Sequence, residues 1–227
     1  MRKNILILAG ILLSFSLLAQ ESEVRNVGSF KSVKSGQAID VYLKKGDKES
    51  VKVETTGIDL SRVLTEVAAG ALKIYMKDGN YRGKTDVKVY VTYVELEKLS
   101  ASSASNMFSD GVIKAKSMEI HVSSAANIEV SLEAGEVIAH ASSAGDITIE
   151  GKASSIDAEA SSAGEIDAYN LVTETAEGSA SSAGSIKLNV TQAIMANASS
   201  GGDIRYRGNP AKSNTNASSG GSVKKSN

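Results

Sequence analysis

A repeat is the feature that most constrains this chain. Ser-Ser pairs begin at Ser102, Ser123, Ser142, Ser161, Ser181, Ser199 and Ser218, at steps of 21, 19, 19, 20, 18 and 19 residues. The fullest copy is Ala141-Ser142-Ser143-Ala144-Gly145-Asp146-Ile147-Thr148-Ile149. One further pair, Ser154-Ser155, is out of phase. A near-fixed period of this length marks units that cannot close a core alone and must stack on one another.

Columns show how each unit is built. Five residues after the first Ser stand Met107, Ile128, Ile147, Ile166, Ile186, Ile204 and Val223. The residue just before the pair is Ala101, Val122, Ala141, Ala160, Ala180, Ala198 or Ala217. Apolar or small columns separated by polar neighbours give the period-two pattern of strands with one buried face. A third apolar patch, such as Leu132 with Ala134, fills the rest of each period. Helix is disfavoured, because each period carries Gly and two weak helix formers. The pattern predicts an all-β chain, a parallel β-helix of ~19-residue coils. Left-handed coils are built on hexapeptides, and no six-residue sub-period is present, so the right-handed form is expected. If alternation continues through the bend, the second Ser of each pair (Ser124, Ser143, Ser162, Ser182, Ser200 and Ser219) faces inward. Those hydroxyls would then need partners from neighbouring coils.

A basic start at Arg2 and Lys3, an apolar run over Ile5–Leu18 and the small Ala19 describe a secretory signal peptide over residues 1–20. The run is short for a membrane span, so no stable span is expected once it is removed. The chain has no cysteine, so neither a lipidated Cys nor a disulfide is available. Removing Arg2 and Lys3 from 25 basic residues leaves 23 against 26 acidic ones, a net charge near −3. That is no electrostatic footprint for nucleic acid.

Residues 21–28 are mostly polar and expected to be loose. The N-terminal region, 21–97, reads as irregular β-strands that cap the β-helix of residues 98–227. Its apolar positions alternate at Ile39, Val41 and Leu43, at Leu72, Ile74 and Met76, and at Val87, Val89 and Val91. Gly-containing turns separate them. Only residues 58–64 suit a helical turn.

Phe30-Lys31-Ser32-Val33, Gly36-Gln37-Ala38-Ile39-Asp40-Val41-Tyr42-Leu43, Gly70-Ala71-Leu72-Lys73-Ile74 and Val87-Lys88-Val89-Tyr90-Val91 run in order ahead of the Ser-Ser-Ala-Gly coils. This series resembles the head GIN domain family, an auto-transporter adhesin family of exported bacterial proteins of Bacteroidetes type. The resemblance runs from about residue 29 to the end. It implies a right-handed β-helix-like fold, an extracytoplasmic location and adhesion as the expected role. The name-giving Gly-Ile-Asn falls at Ala38-Ile39-Asp40, which shares only the Ile. The family supplies no catalytic residues.

Two outward columns carry the candidate chemistry. His121, His140 and Glu159 occupy one column, flanked by Glu119 and Asp157. Imidazoles and a carboxylate one strand spacing apart, about 4.8 Å, are the donor types that hold a divalent metal. The column after the bend holds Asp146, Glu165 and Asp203, with Asp167 beside it. These four form the candidate binding face. Paired acids also serve polysaccharide-acting enzymes. Here they alternate with Ser, Asn and basic residues, as on a solvated face. No phosphate loop, metalloprotease motif or nucleophilic triad is present, and no cofactor is expected. Two readings therefore stand: an exported, non-catalytic, adhesin-like module that shows a β-helical face to a cell-surface glycan or protein, and a polysaccharide-acting β-helix enzyme. Neither the ligand nor the oligomeric state follows from the sequence.

Overall fold

The structure is a computed structural model that describes residues 20–79, 81 and 85–226. The expected signal segment lies outside the described residues except for Gln20. The N-terminal region holds β1 (Gln20–Arg25), β2 (Ser32–Ser35), β3 (Asp40–Lys45), β4 (Ser50–Thr56), a 3-10 turn (Leu60–Arg62), β5 (Val63–Ala68), β6 (Ala71–Met76) and β7 (Asp86–Tyr93). The repeats form β8 (Lys98–Ala101), β9 (Asn106–Val122), β10 (Asn127–Ala141), β11 (Asp146–Ala160), β12 (Glu165–Ala180), β13 (Ser185–Ala198), β14 (Asp203–Arg207), β15 (Lys212–Ala217) and β16 (Ser222–Lys225).

The repeats stack as parallel coils of a β-helix, each strand hydrogen-bonded to the next coil's equivalent. Register follows the sequence columns: Ile128 lies between Met107 and Ile147, and Ala141 between Val122 and Ala160. Ile128, Ile147, Ile166, Ile186 and Ile204 are at most 1 % exposed. Burying each such side chain is worth about 1.5–3 kcal/mol. In β10 the inward set is Ile128, Val130 and Leu132, then Val137, Ala139 and Ala141, with the break in alternation at Gly135-Glu136.

The Ser-Ser corner differs from the expectation. Ser143 and Ala144 both adopt left-handed backbone, at φ 51° and 57°, as do the matching residues of the other coils. Two such residues in a row turn the chain at the corner and swing the second Ser outward, while the inward positions on either side, such as Ala141 and Ile147, keep the same parity. The second Ser of each pair, Ser143 among them, is therefore exposed, and the residue two places later is buried instead. That buried column reads Ser105, Ala126, Gly145, Gly164, Gly184 and Gly202. A Cβ built on Gly164 would lie 2.6 Å from the carbonyl carbon and oxygen of Ala141 in the coil before. Glycine is thus demanded there by close backbone approach. The corner backbone bonds from coil to coil: Ala144 N–H donates to Ser162 C=O at 3.1 Å, and Ser142 N–H to Val122 C=O at 3.0 Å.

The coils extend into the N-terminal region, out of chain order. β2 and β3 flank a corner at Gly36–Ala38, where Gln37 and Ala38 are also left-handed. β2 pairs with β8 on one side and β6 on the other, and β3 pairs with β9 and β7. The β6–β7 coil therefore lies beneath the earlier β2–β3 coil. Below it the sheet continues in antiparallel strands, β5 on β6, β4 on β7 and β1 on β4. The segment expected to be loose is largely β1, held by this ladder and by Arg25. The Arg25 guanidinium donates to Val63 C=O at 2.6 Å and Leu60 C=O at 2.9 Å, joining the two walls of the cap.

Candidate functional site

The histidine column forms as the spacing requires. His121 pairs with His140 and His140 with Glu159 across successive parallel strands. The two imidazoles stack with centroids 4.8 Å apart and planes 13° from parallel. Their nitrogens turn to different carboxylates. His121 Nε2 meets Glu119, and His140 Nδ1 lies 3.1 Å from Glu159 Oε2. Glu119 also accepts from Lys98 Nζ at 2.9 Å. His121 first and Lys98 second hold the Glu119 carboxyl below the usual carboxylate range. Among the described residues no group of three or more His, Cys, Asp or Glu converges as metal ligands would. Asp157 shifts the other way, its carboxyl raised by burial and then by Glu159.

The four acids of the candidate binding face lie on the wall that follows the corner, with Asp203 separated from Glu165 by the Ser185 coil. Asp146 lies opposite Glu165 in the β11–β12 ladder, and Asp203 opposite Ser185 in the β13–β14 ladder. Lys187 Nζ bridges Glu165 at 2.8 Å and Asp167 at 3.0 Å. Those two acids raise the Lys187 ammonium's pKa. Asp203 is paired with Arg205 at 2.8 Å. Asp146 has no ion pair among the described residues, and its carboxyl is raised by desolvation and then by Glu165.

The same wall carries an aromatic ladder that the sequence columns did not reveal. Tyr42 stacks on Tyr90 at 5.2 Å and on Phe108 at 5.5 Å. Lys52 on β4 caps the far side of Tyr90, 5.7 Å from the ring centroid. Three coils supply the three rings, through the registers Tyr42–Tyr90 and Tyr42–Phe108. The signal available in the sequence was the match of Asp40-Val41-Tyr42 to Asn106-Met107-Phe108. A second aromatic, Tyr169, sits where β12 loops out Tyr169, Asn170 and Leu171 while β13 passes straight from Leu188 to Asn189. Its ring is covered by Arg207, and its hydroxyl meets Ser226 Oγ at 2.9 Å.

Comparison with known proteins places this architecture. The family described as "Putative auto-transporter adhesin, head GIN domain" matches residues 29–210. The chain belongs to this family. Solved structures share the head GIN domain's fold. A putative adhesin from Bacteroides fragilis superposes with TM-score 0.82 at 18% identity, over 92% of this chain and 97% of that one. A putative adhesin from Parabacteroides distasonis gives 0.71 at 20% identity, over 92% and 97%. A third structure, described as a putative lipid binding protein from the same species, gives 0.69 at 20% identity, again over 92% and 97%. A search of curated proteins found no match. Among the described residues of this head GIN domain, no helix is long and apolar enough to cross a membrane.

Proposed function

We propose that this protein is an exported, extracytoplasmic, adhesin-like interaction module that binds a cell-surface glycan or protein through its outward columns and performs no catalysis. The observation that carries this reading is the Lys187 bridge. Glu165 and Asp167, two of the acids a polysaccharide-acting site would need, share one ammonium. A general acid needs a raised pKa and a facing partner across a cleft, and these carboxylates lie side by side on an open wall, bridged by one ammonium. The adhesin description of the family supports the same role. An open wall of repeated polar columns also suits weak contacts made at several points along a polymer. The interior is filled by side chains from coil after coil, so a lipid would have to lie on the surface.

One observation favours the second reading, a polysaccharide-acting enzyme. Asp146 faces Glu165 across the ladder and its carboxyl is raised, as that of a general acid is. A glycan array and whole-cell binding by the mature protein, run beside a polysaccharide turnover assay, decides between them. Binding without turnover is expected. Turnover abolished by Asp146→Asn or Glu165→Gln would replace the module with the enzyme.

A further inference from the structure

The aromatic ladder ends at Phe108, and what lies beyond it differs from the rest of the wall. Glu129 is opposite Phe108 in the β9–β10 ladder and Ser131 is opposite Val112, so β9 places Ser109, Asp110 and Gly111 where β10 has Val130 alone. Gly111 takes φ 95°, a left-handed turn open to glycine. The bulge is held by Ser131 N–H donating to Ser109 Oγ at 3.0 Å. Beside it is a depression of about 160 Å³ that includes Phe108, Glu129, Ser131, Thr148 and Glu150 in its lining. Tyr42 covers one face of the Phe108 ring. On the other side the column continues with Glu129 and Thr148, so Phe108 meets the depression next to Glu129 rather than another ring.

The polar lining is a two-by-two array. Glu129 faces Thr148 and Ser131 faces Glu150 across the β10–β11 ladder. The carboxylates therefore occupy one diagonal and the hydroxyls the other. Ser131 Oγ donates to Glu150, which leaves the second Glu150 oxygen as an acceptor. Neither glutamate is in an ion pair among the described residues, whereas Asp167 and Asp203 on the same wall are. Diagonal neighbours in a sheet stand about 7–8 Å apart along the backbone, so the two glutamates reach the depression from opposite corners. That separation matches acceptors spread around the rim of a ring. The volume is well below the roughly 300 Å³ at which drug-sized pockets begin, so it suits one ring rather than a chain.

We propose that this depression is a saccharide subsite that takes a single pyranose residue of a cell-surface glycan. The apolar C–H side of the sugar lies against the part of the Phe108 ring that lines the depression. Its hydroxyls donate to Glu129 and Glu150 and exchange hydrogen bonds with Thr148 and Ser131. The proposal rests on the glycan branch of the function proposed above and gives it a place. Affinity for one residue is weak, in the millimolar range, because few atoms are engaged. Tyr169 provides the internal comparison: it also sits at a bulge, but Arg207 already covers its ring.

Amide chemical-shift titration of the mature protein tests this. The probes are methyl glycosides of glucose, galactose, mannose and N-acetylglucosamine, with butylguanidinium as a cationic competitor. At least one glycoside should shift residues 108, 129, 131, 148 and 150. Its affinity should fall about tenfold or more in Phe108→Ala and in Glu129→Ala/Thr148→Val, and stay unchanged in Tyr169→Ala. The double variant leaves the Tyr42 stack in place, so it reports even if Phe108→Ala unfolds. The site is overturned if no glycoside perturbs these residues, or if butylguanidinium alone does. Whole-cell binding separates the two claims. Adhesion by the parent that survives both variants sinks the subsite and leaves the adhesin reading standing. No adhesion by the parent at all sinks that reading.

Discussion

Adjacent residues at one corner should respond oppositely to the same pair of amino acids. Ala163 has φ 60°, and left-handed backbone costs an L-residue about 1–2 kcal/mol. Gly201 and Gly220 hold this corner position in later coils, with φ 76° and 78°. Ala163→Gly removes that strain and adds unfolded-state entropy worth up to about 1 kcal/mol, so the fold should gain a few tenths to about 1 kcal/mol. Gly164→Ala does the reverse. Its Cβ meets Ala141 C and O at 2.6 Å and Ser142 N at 2.8 Å. These are backbone atoms held by the ladder bond from Ser161 N–H to Ala141 C=O at 3.0 Å. Overpacking of this kind costs about 1–3 kcal/mol. At roughly 2–4 °C per kcal/mol for a chain of this size, Gly164→Ala should melt about 2–12 °C lower and Ala163→Gly up to about 4 °C higher. Urea unfolding followed by circular dichroism, with m unchanged, is the assay. Equal shifts of the same sign would show that strain and close approach do not divide between these two residues.

Four further outcomes follow from named contacts. Ser143→Ala should change stability by no more than about 0.5 kcal/mol, since the side chain is exposed; a large loss in thermal melting would restore an inward hydroxyl. Arg25→Ala should destabilise by about 1.5–3 kcal/mol through loss of charged hydrogen bonds to Leu60 and Val63, and hydrogen exchange should rise first in β5. Asp157 has a raised folded pKa, so its ionisation opposes folding above that value and the penalty fades as pH falls. Asp157→Asn should therefore raise the melting temperature at pH 7 and lose that advantage in acid, while Glu119, lowered in the fold, contributes stability that disappears on acidification. Zinc should move the melting temperatures of the parent and of His121→Ala/His140→Ala alike, because the imidazoles face separate carboxylates; a shift confined to the parent would establish a site.

The coils were legible because their partners recur one period apart, and a column of Ile needs no knowledge of the turn to be recognised as core. The corner was misread for a local reason. Alternation was carried through Ser143 and Ala144 as if both were extended, and nothing in Ser or Ala advertises a left-handed backbone. The Gly145 that follows invites the wrong explanation, since it is there because a Cβ would lie 2.9–3.0 Å from Val122 and Ser123 of the coil before, and not for its own φ. The histidine column was placed in register, but which carboxylate each nitrogen faces depends on rotamers that a column cannot specify. Tyr42, Tyr90 and Phe108 were missed as a group because they are neighbours only through a stack that departs from chain order.

That departure from chain order bears on how the molecule is made. From β9 onward each coil binds its predecessor, so addition can follow synthesis one period at a time, with the short loop closures that favour speed. The β2–β3 coil cannot follow that schedule. Its floor, β6–β7, and its roof, β8–β9, both arrive later, so it leaves the ribosome with two bare edges and waits for both. Assembly should therefore have one slow, cooperative step, completion of the three lowest coils, followed by rapid zippering toward β16. Excision of one whole interior period would leave that step untouched, whereas any lesion that delays β6–β7 would hold the entire chain in an aggregation-prone, half-paired state.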